Sequence, residues 1–115
     1  MQDVIRSDHF SMGQKVLQCE NDFAQFLGSK YAVMVNSGSS ANLLMIAALR
    51  YTKNDHLRLM PGDEVIVPAV SWSTTYYPLY QYGLKLKFVD INIETLNIDL
   101  EALESAITER TKAIL

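Results

Sequence analysis

A run of small polar residues, Asn36-Ser-Gly-Ser-Ser40, is the part of the sequence best suited to binding chemistry. It follows a short apolar segment, and the segment after it has the composition of a helix. At a helix N-terminus such a loop presents free backbone N–H groups, hydroxyl groups and the positive end of the helix dipole. These features predict a binding site for one phosphate group. The alternative is a tight turn whose serines only cap the helix.

Common nucleotide-binding motifs do not describe this loop. It lacks the Gly-Lys-Ser/Thr ending of a Walker A loop, and it is not Gly-x-Gly-x-x-Gly. A plain ATPase and a Rossmann dinucleotide-binding domain are therefore disfavoured.

The only tryptophan, Trp72, lies in Ala69–Thr75, directly after a second predicted strand. Ligands of open α/β sheets bind outside the carboxyl ends of the strands, so a flat ligand could stack on this ring. Packing in the core is the alternative role for a lone aromatic residue. If the serine loop and Trp72 lie on the same sheet edge, an aromatic phosphate such as pyridoxal 5'-phosphate would satisfy both.

Other polar residues give weaker signals. Asp90 ends a third predicted strand, where starting a turn is the simpler role and ligand binding the alternative. His9 and His56 are isolated and do not have the spacing of a zinc site. The tyrosines between Tyr76 and Tyr82 suit either a dimer interface or a half-buried crossover, and the sequence leaves both open.

The elements that must position these residues alternate between strand and helix. Apolar periodicity predicts a helix over Val16–Leu27 that Gly28 ends, and composition predicts a second over Ala41–Tyr51. A crossover helix is predicted within Val70–Tyr82, with Pro78 near its start or at a kink, and a further helix after the N-cap Asp99. Strands are predicted at Tyr31–Val35, Glu64–Pro68, Leu84–Asp90 and Thr111–Leu115. This order predicts an α/β fold with a mostly parallel sheet and crossover helices.

Composition excludes several classes of protein. The 115 residues are 49% hydrophobic and carry 10 Lys+Arg against 13 Asp+Glu, a net charge of -3. This balance disfavours nucleic acid as a partner, since nucleic-acid binders carry a basic excess. A single cysteine excludes an intrachain disulfide, and no apolar run approaches the length of a membrane span. A cytoplasmic protein without a membrane partner is expected.

Several blocks of the sequence, in register, resemble the DegT/DnrJ/StrS family of pyridoxal-phosphate-dependent sugar aminotransferases. The blocks are Phe26–Val33, Asn36–Ala41, Pro61–Pro68, Phe88–Asp90, Thr95–Asp99 and Ala106–Ile114. The resemblance implies the N-terminal part of a fold type I (aspartate-aminotransferase-like) large domain. It further implies a homodimer that uses an amino-acid amine donor, expected to be glutamate, and a nucleotide-linked keto-deoxysugar as substrate. Family members commonly supply polysaccharide biosynthesis.

The resemblance also assigns roles within the cofactor site. Gly38, Ser39 and Ser40 match the turn that binds the phosphate of pyridoxal 5'-phosphate in the family. Trp72 matches the aromatic residue that stacks on the pyridine ring. These roles agree with the anion site and the stacking surface argued from the residues alone.

Two departures are similar to the family's 3-dehydrase branch, which removes a sugar hydroxyl and has histidine in place of the Schiff-base lysine. The turn reads Ser-Gly-Ser-Ser followed by Ala-Asn-Leu, and the Arg50–Met60 connector is long. The motif Thr74-Thr75-x-x-Pro78 is a further trait of that branch. The main prediction is an aminotransferase, with a pyridoxal- or pyridoxamine-phosphate-dependent nucleotide-sugar 3-dehydrase as the alternative.

The family's Schiff-base lysine is expected beyond Leu115, and Lys112 is not that residue. The chain is therefore expected to be a truncated portion of one large domain, with residues 1–29 as an N-terminal arm and helix and 30–115 as alternating strands and helices. No catalytic residue is predicted within it, and the 115 residues alone are expected to be inactive. A non-catalytic phosphate-binding fragment is the remaining alternative.

Overall fold

The computed structural model describes all 115 residues, which form two compact units, Met1–Asn36 and Ser37–Leu115. The first unit contains helices α1 (Gln2–Ser7) and α2 (Gln14–Leu27). Helix α2 ends where the sequence predicts, because Gly28 adopts the left-handed conformation (φ 66°) and closes the last turn.

The predicted strand Tyr31–Val35 is wrong. This segment has no regular secondary structure, and Tyr31 and Val33 are each 75% exposed. A strand needs a neighbour for its backbone hydrogen bonds, and the first unit contains no other strand. One N–H of the segment, that of Met34, is satisfied instead by the carboxylate of Glu20 at 2.7 Å.

The second unit is an α/β layer with three parallel strands, which confirms the predicted fold class. Its elements are α3 (Gly38–Tyr51), β1 (Glu64–Pro68), α4 (Ser73–Gln81), β2 (Lys85–Val89), α5 (Leu100–Ala106) and β3 (Thr111–Ile114). The sheet order is β2-β1-β3, with both pairs parallel. The central strand β1 is a continuous apolar run, and its three middle residues are buried, as expected for a strand covered on both faces.

Two helices pack against the central strand through one apolar cluster. Ile46 of α3 and Leu79 of α4 belong to the same buried cluster as Val65 and Val67 of β1. Burial of such side chains removes apolar surface from water, which is the main favourable term in folding. The cluster therefore fixes α3 and α4 beside each other on the strand that the candidate site follows.

The end of the chain folds as its cap residue predicts. Asp99 is the N-cap of α5, and its carboxylate accepts a hydrogen bond from the N–H of Ala102 at 2.8 Å. The Asp90 carboxylate accepts a hydrogen bond from the N–H of Ile91 at 2.8 Å, which fits the predicted role of starting a turn. None of the helices has both the length and the apolar character needed to cross a bilayer.

Candidate functional site

The serine loop forms the first turn of α3, which begins three residues earlier than predicted. Ser37 is the N-cap, and its hydroxyl oxygen accepts from the N–H of Ser40 at 3.2 Å. The Ser37 hydroxyl also donates to the hydroxyl oxygen of Ser40 at 3.2 Å. Ser37 therefore caps the helix. The backbone N–H groups of Gly38 and Ser39, however, have no carbonyl partner within the helix. We call Gly38, Ser39 and Ser40 the phosphate cup.

Neither the backbone conformation at position 38 nor the packing of this chain requires a glycine there. The φ of Gly38 lies outside the left-handed region, and a Cβ built on it would meet no other atom within 4 Å. The first turn of α3 contains no acidic residue, so no carboxylate there competes for the exposed N–H groups. An open, uncharged cradle at the positive end of a helix dipole suits an anionic ligand.

Trp72 is the N-cap residue of α4 and is 77% exposed, so its ring does not pack in the core of this chain. The turn that carries it is held from both sides. Ser71 and Thr75 join their hydroxyl groups at 3.1 Å, and the N–H of Ala69 donates to the carbonyl of Val89 at 2.7 Å. The indole is therefore an apolar surface on a fixed turn at the carboxyl end of β1.

One tyrosine of α4 is packed against its neighbours, and two are exposed. The Tyr76 hydroxyl donates to the carbonyl of Pro68 at 2.7 Å, and its ring meets Phe88 edge-on with the ring centres 5.3 Å apart. Tyr77 and Tyr80 are exposed. The half-buried crossover accounts for Tyr76, and the interface alternative stays open for the two exposed rings.

The starts of α3 and α4 lie side by side. Pro78 is inside α4 without ending it, and the N–H that it lacks would have met the carbonyl of Thr74. The side-chain amide of Asn42, on α3, donates to that carbonyl at 3.3 Å. The sequence predicted a start or a kink at Pro78 but gave no sign of this partner, which lies on a different helix.

A cleft of about 220 Å³ opens between these two helices. Ser39 and Ser40 line it from α3, and Thr74, Tyr77 and Gln81 line it from α4. Trp72 is not part of the cleft wall. Sequence reasoning missed Tyr77 and Gln81 as cleft residues, because no motif marks which face of α4 turns toward α3. The structure thus brings two cup residues together with α4 and places Trp72 two residues before Thr74.

Comparison with known proteins identifies close relatives. The profile of the DegT/DnrJ/EryC1/StrS aminotransferase family matches residues 1–115. The chain is 66% identical over 115 residues, all of its length, to GDP-4-keto-6-deoxy-D-mannose 3-dehydratase from Escherichia coli O55:H7, and covers 29% of that protein. It is 36% identical over 115 residues, again all of its length, to UDP-2-acetamido-2-deoxy-3-oxo-D-glucuronate aminotransferase from Pseudomonas aeruginosa, and covers 30% of it.

The fold of this chain is also similar to that of a solved structure. The Escherichia coli GDP-4-keto-6-deoxy-D-mannose-3-dehydratase with bound hydrated PLP superimposes with a TM-score of 0.90 at 65% identity, covering 98% of this chain and 28% of that one. The chain thus spans less than a third of the relatives it matches. These similarities favour the dehydratase alternative of the sequence analysis over the aminotransferase that it placed first.

Proposed function

We propose, on the premise that this chain belongs to the DegT/DnrJ/EryC1/StrS aminotransferase family, that it is the cofactor-binding portion of a pyridoxal-phosphate-dependent nucleotide-sugar 3-dehydratase. The observation that carries the proposal is the identity to the dehydratase, which is nearly twice the identity to the aminotransferase over the same 115 residues. The proposed substrate is a GDP-linked 4-keto-6-deoxyhexose. The aminotransferase is the second candidate, since a family member with that activity also matches the whole chain.

The residues of the second unit fit the cofactor at two places. The N–H groups of Gly38 and Ser39 and the hydroxyls of Ser39 and Ser40 would hold the phosphate, where the helix dipole favours negative charge. Trp72 would cover one face of the pyridine ring and exclude water from it. When bound, the cofactor supplies an electron sink for charge that develops on the sugar.

We place no catalytic residue within the 115 residues. The Schiff-base lysine, or the histidine in its place, stays a prediction for sequence beyond Leu115, as does the inactivity of the chain alone. The homodimer, the glutamate donor and the cytoplasmic location are likewise proposals that follow from the family.

Product analysis distinguishes the two candidate functions. The protein that contains this chain is incubated with pyridoxal phosphate, glutamate and GDP-4-keto-6-deoxymannose, and the sugar product is examined by mass spectrometry and NMR. We expect a product that has lost the hydroxyl at carbon 3. A product that keeps this hydroxyl and carries an amine in place of the keto oxygen would refute the dehydratase and establish the aminotransferase.

Replacing Trp72 with alanine is expected to weaken cofactor binding about tenfold and leave folding nearly unchanged. Stacked aromatic pairs contribute about 0.5–1.5 kcal/mol beyond the area that they bury, whereas exposed side chains usually alter stability by less than about 0.5 kcal/mol. Titration with pyridoxal phosphate, followed by absorbance, gives the dissociation constant, and thermal unfolding without cofactor gives the stability.

Two further variants serve as controls for this prediction. Trp72→Phe keeps an aromatic face and should retain most of the affinity. Tyr80→Ala removes a ring of nearly equal exposure from the same helix, 76% against 77%, and should leave the dissociation constant unchanged. Equal losses in Trp72→Ala and Tyr80→Ala would contradict the stacking role.

A further inference from the structure

We propose that Asn42 is a positioning residue that holds the phosphate cup at a fixed distance from Trp72. Its side-chain amide donates to the carbonyl of Thr74, and this is the one hydrogen bond that joins α3 to α4. The inference rests on the proposed function, because it concerns how the cofactor site is held together.

The acceptor of this hydrogen bond is a carbonyl that the helix itself leaves unpaired. In an α-helix the carbonyl of residue 74 would accept from the N–H of residue 78, but Pro78 has no N–H. Thr74 is partly buried and Pro78 is buried, so an unpaired carbonyl here would be poorly hydrated. Asn42 satisfies it from outside the helix, so the carbonyl is paired although α4 contains a proline.

The donor lies on the face of α3 that also carries the cup. Gly38, Asn42 and Ile46 are spaced four residues apart and therefore lie along one side of the helix. Ile46 is buried in the cluster that includes Leu79 of α4. The two helices are thus joined by apolar packing farther along and by a single polar contact near their starts.

The polar contact lies between the two parts of the proposed site. Asn42 is one turn beyond Gly38, and Thr74 is two residues after Trp72. A cofactor whose phosphate is attached to its ring through one short arm must meet both parts at once. If the cup and the indole are already held at that spacing, they need not become ordered when the cofactor binds. Affinity is higher as a result, because ordering a site during binding costs free energy.

Two variants distinguish a role of Asn42 in positioning the cup from a role only in pairing the Thr74 carbonyl. Asn42→Ala is expected to weaken pyridoxal phosphate binding about tenfold and to lower the thermal midpoint. In Asn42→Ala/Pro78→Ala the N–H of residue 78 returns and pairs with the Thr74 carbonyl inside the helix. The double variant should therefore match Pro78→Ala in thermal midpoint, yet bind the cofactor about tenfold more weakly than Pro78→Ala does.

One control variant and two results that would contradict the positioning role complete the experiment. Asn92→Ala also removes an amide side chain that hydrogen-bonds the backbone, in the turn after β2, and should leave the cofactor dissociation constant unchanged. An unchanged dissociation constant in Asn42→Ala, or equal affinity in the double variant and Pro78→Ala, would overturn the positioning role. If the dissociation constant were also unchanged in Gly38→Val, the proposed cofactor site itself would be wrong.

Discussion

Replacing Gly38 with valine is expected to weaken binding of pyridoxal phosphate at least about 100-fold without unfolding the protein. Valine would occupy the space through which a phosphate approaches the N–H groups of Gly38 and Ser39. Hydrogen bonds to charged groups are worth about 1.5–3 kcal/mol each, so losing two of them gives an effect of this size. Folding should tolerate the change, because a Cβ at this position meets no atom within 4 Å and φ lies outside the left-handed region.

The measurements are a cofactor titration and a thermal unfolding curve of the cofactor-free protein. Ala48→Val is the matched control, since it adds a branched side chain to an exposed position of the same helix at about 15 Å from Gly38 along the axis. It should leave the dissociation constant within about twofold, well below the tenfold that 1.4 kcal/mol represents. Undiminished affinity in Gly38→Val would show that the phosphate binds elsewhere.

Elements that are specified by their own residues could be predicted from the sequence. Gly28 ends α2 because only a residue that tolerates positive φ fits there, and Asp99 starts α5 because its side chain reaches an N–H within the same turn. The strand Glu64–Pro68 has the bounds that the sequence predicts, from a short apolar run directly after the turn Pro61-Gly-Asp63. In the two helix ends the determining contact lies within a few residues.

Features that depend on distant partners could not be predicted. Tyr31–Val35 has the composition of a strand, but a strand forms only against another strand. A crossover helix was predicted within Val70–Tyr82, but the partner of the carbonyl that Pro78 leaves unpaired, Asn42, lies 32 positions away. Trp72 allowed two interpretations, and its exposure of 77%, which places the ring outside the core of this chain, depends on how distant segments pack.

Two separate motifs of the sequence contact each other in the structure. Asn42 belongs to the Ala-Asn-Leu that follows the serine loop, and Thr74 and Pro78 belong to the motif Thr-Thr-x-x-Pro. The hydrogen bond from Asn42 to the backbone carbonyl of Thr74, which Pro78 leaves unpaired, connects the two segments. The acceptor at residue 74 is its backbone carbonyl, so the coupling is between Asn42 and Pro78, and a double-mutant cycle between these two should be non-additive.

The cup and the indole do not by themselves decide between the two candidate reactions. In the proposed site the cup would hold the phosphate and the indole would cover the ring of the cofactor, and neither would touch the sugar carbon at which the reactions differ. The preference for the dehydratase therefore comes from identity over the whole chain rather than from a catalytic group. Tests of the cup examine the cofactor site, and product analysis examines the reaction, so the two can fail independently.

Replacing Ser39 with aspartate is expected to change stability and cofactor affinity in opposite directions. Residue 39 lies in the first turn of α3, where a carboxylate interacts favourably with the helix dipole by about 0.3–1 kcal/mol. The cofactor-free protein should therefore unfold at the same temperature or higher. The same carboxylate would face the phosphate at short range, and two like charges about 4 Å apart repel by about 4 kcal/mol at an effective dielectric constant near 20.

Affinity for pyridoxal phosphate should accordingly be about 100-fold or more lower in Ser39→Asp than in Ser39→Asn, which also loses the hydroxyl and is nearly the same size as aspartate but carries no charge. Raising the salt concentration should recover part of the affinity of Ser39→Asp, since exposed charges are screened. Misfolding would lower stability and affinity together, so opposite signs identify an electrostatic cause. If Ser39→Asp bound the cofactor as well as Ser39→Asn does, the phosphate would not lie at the start of α3.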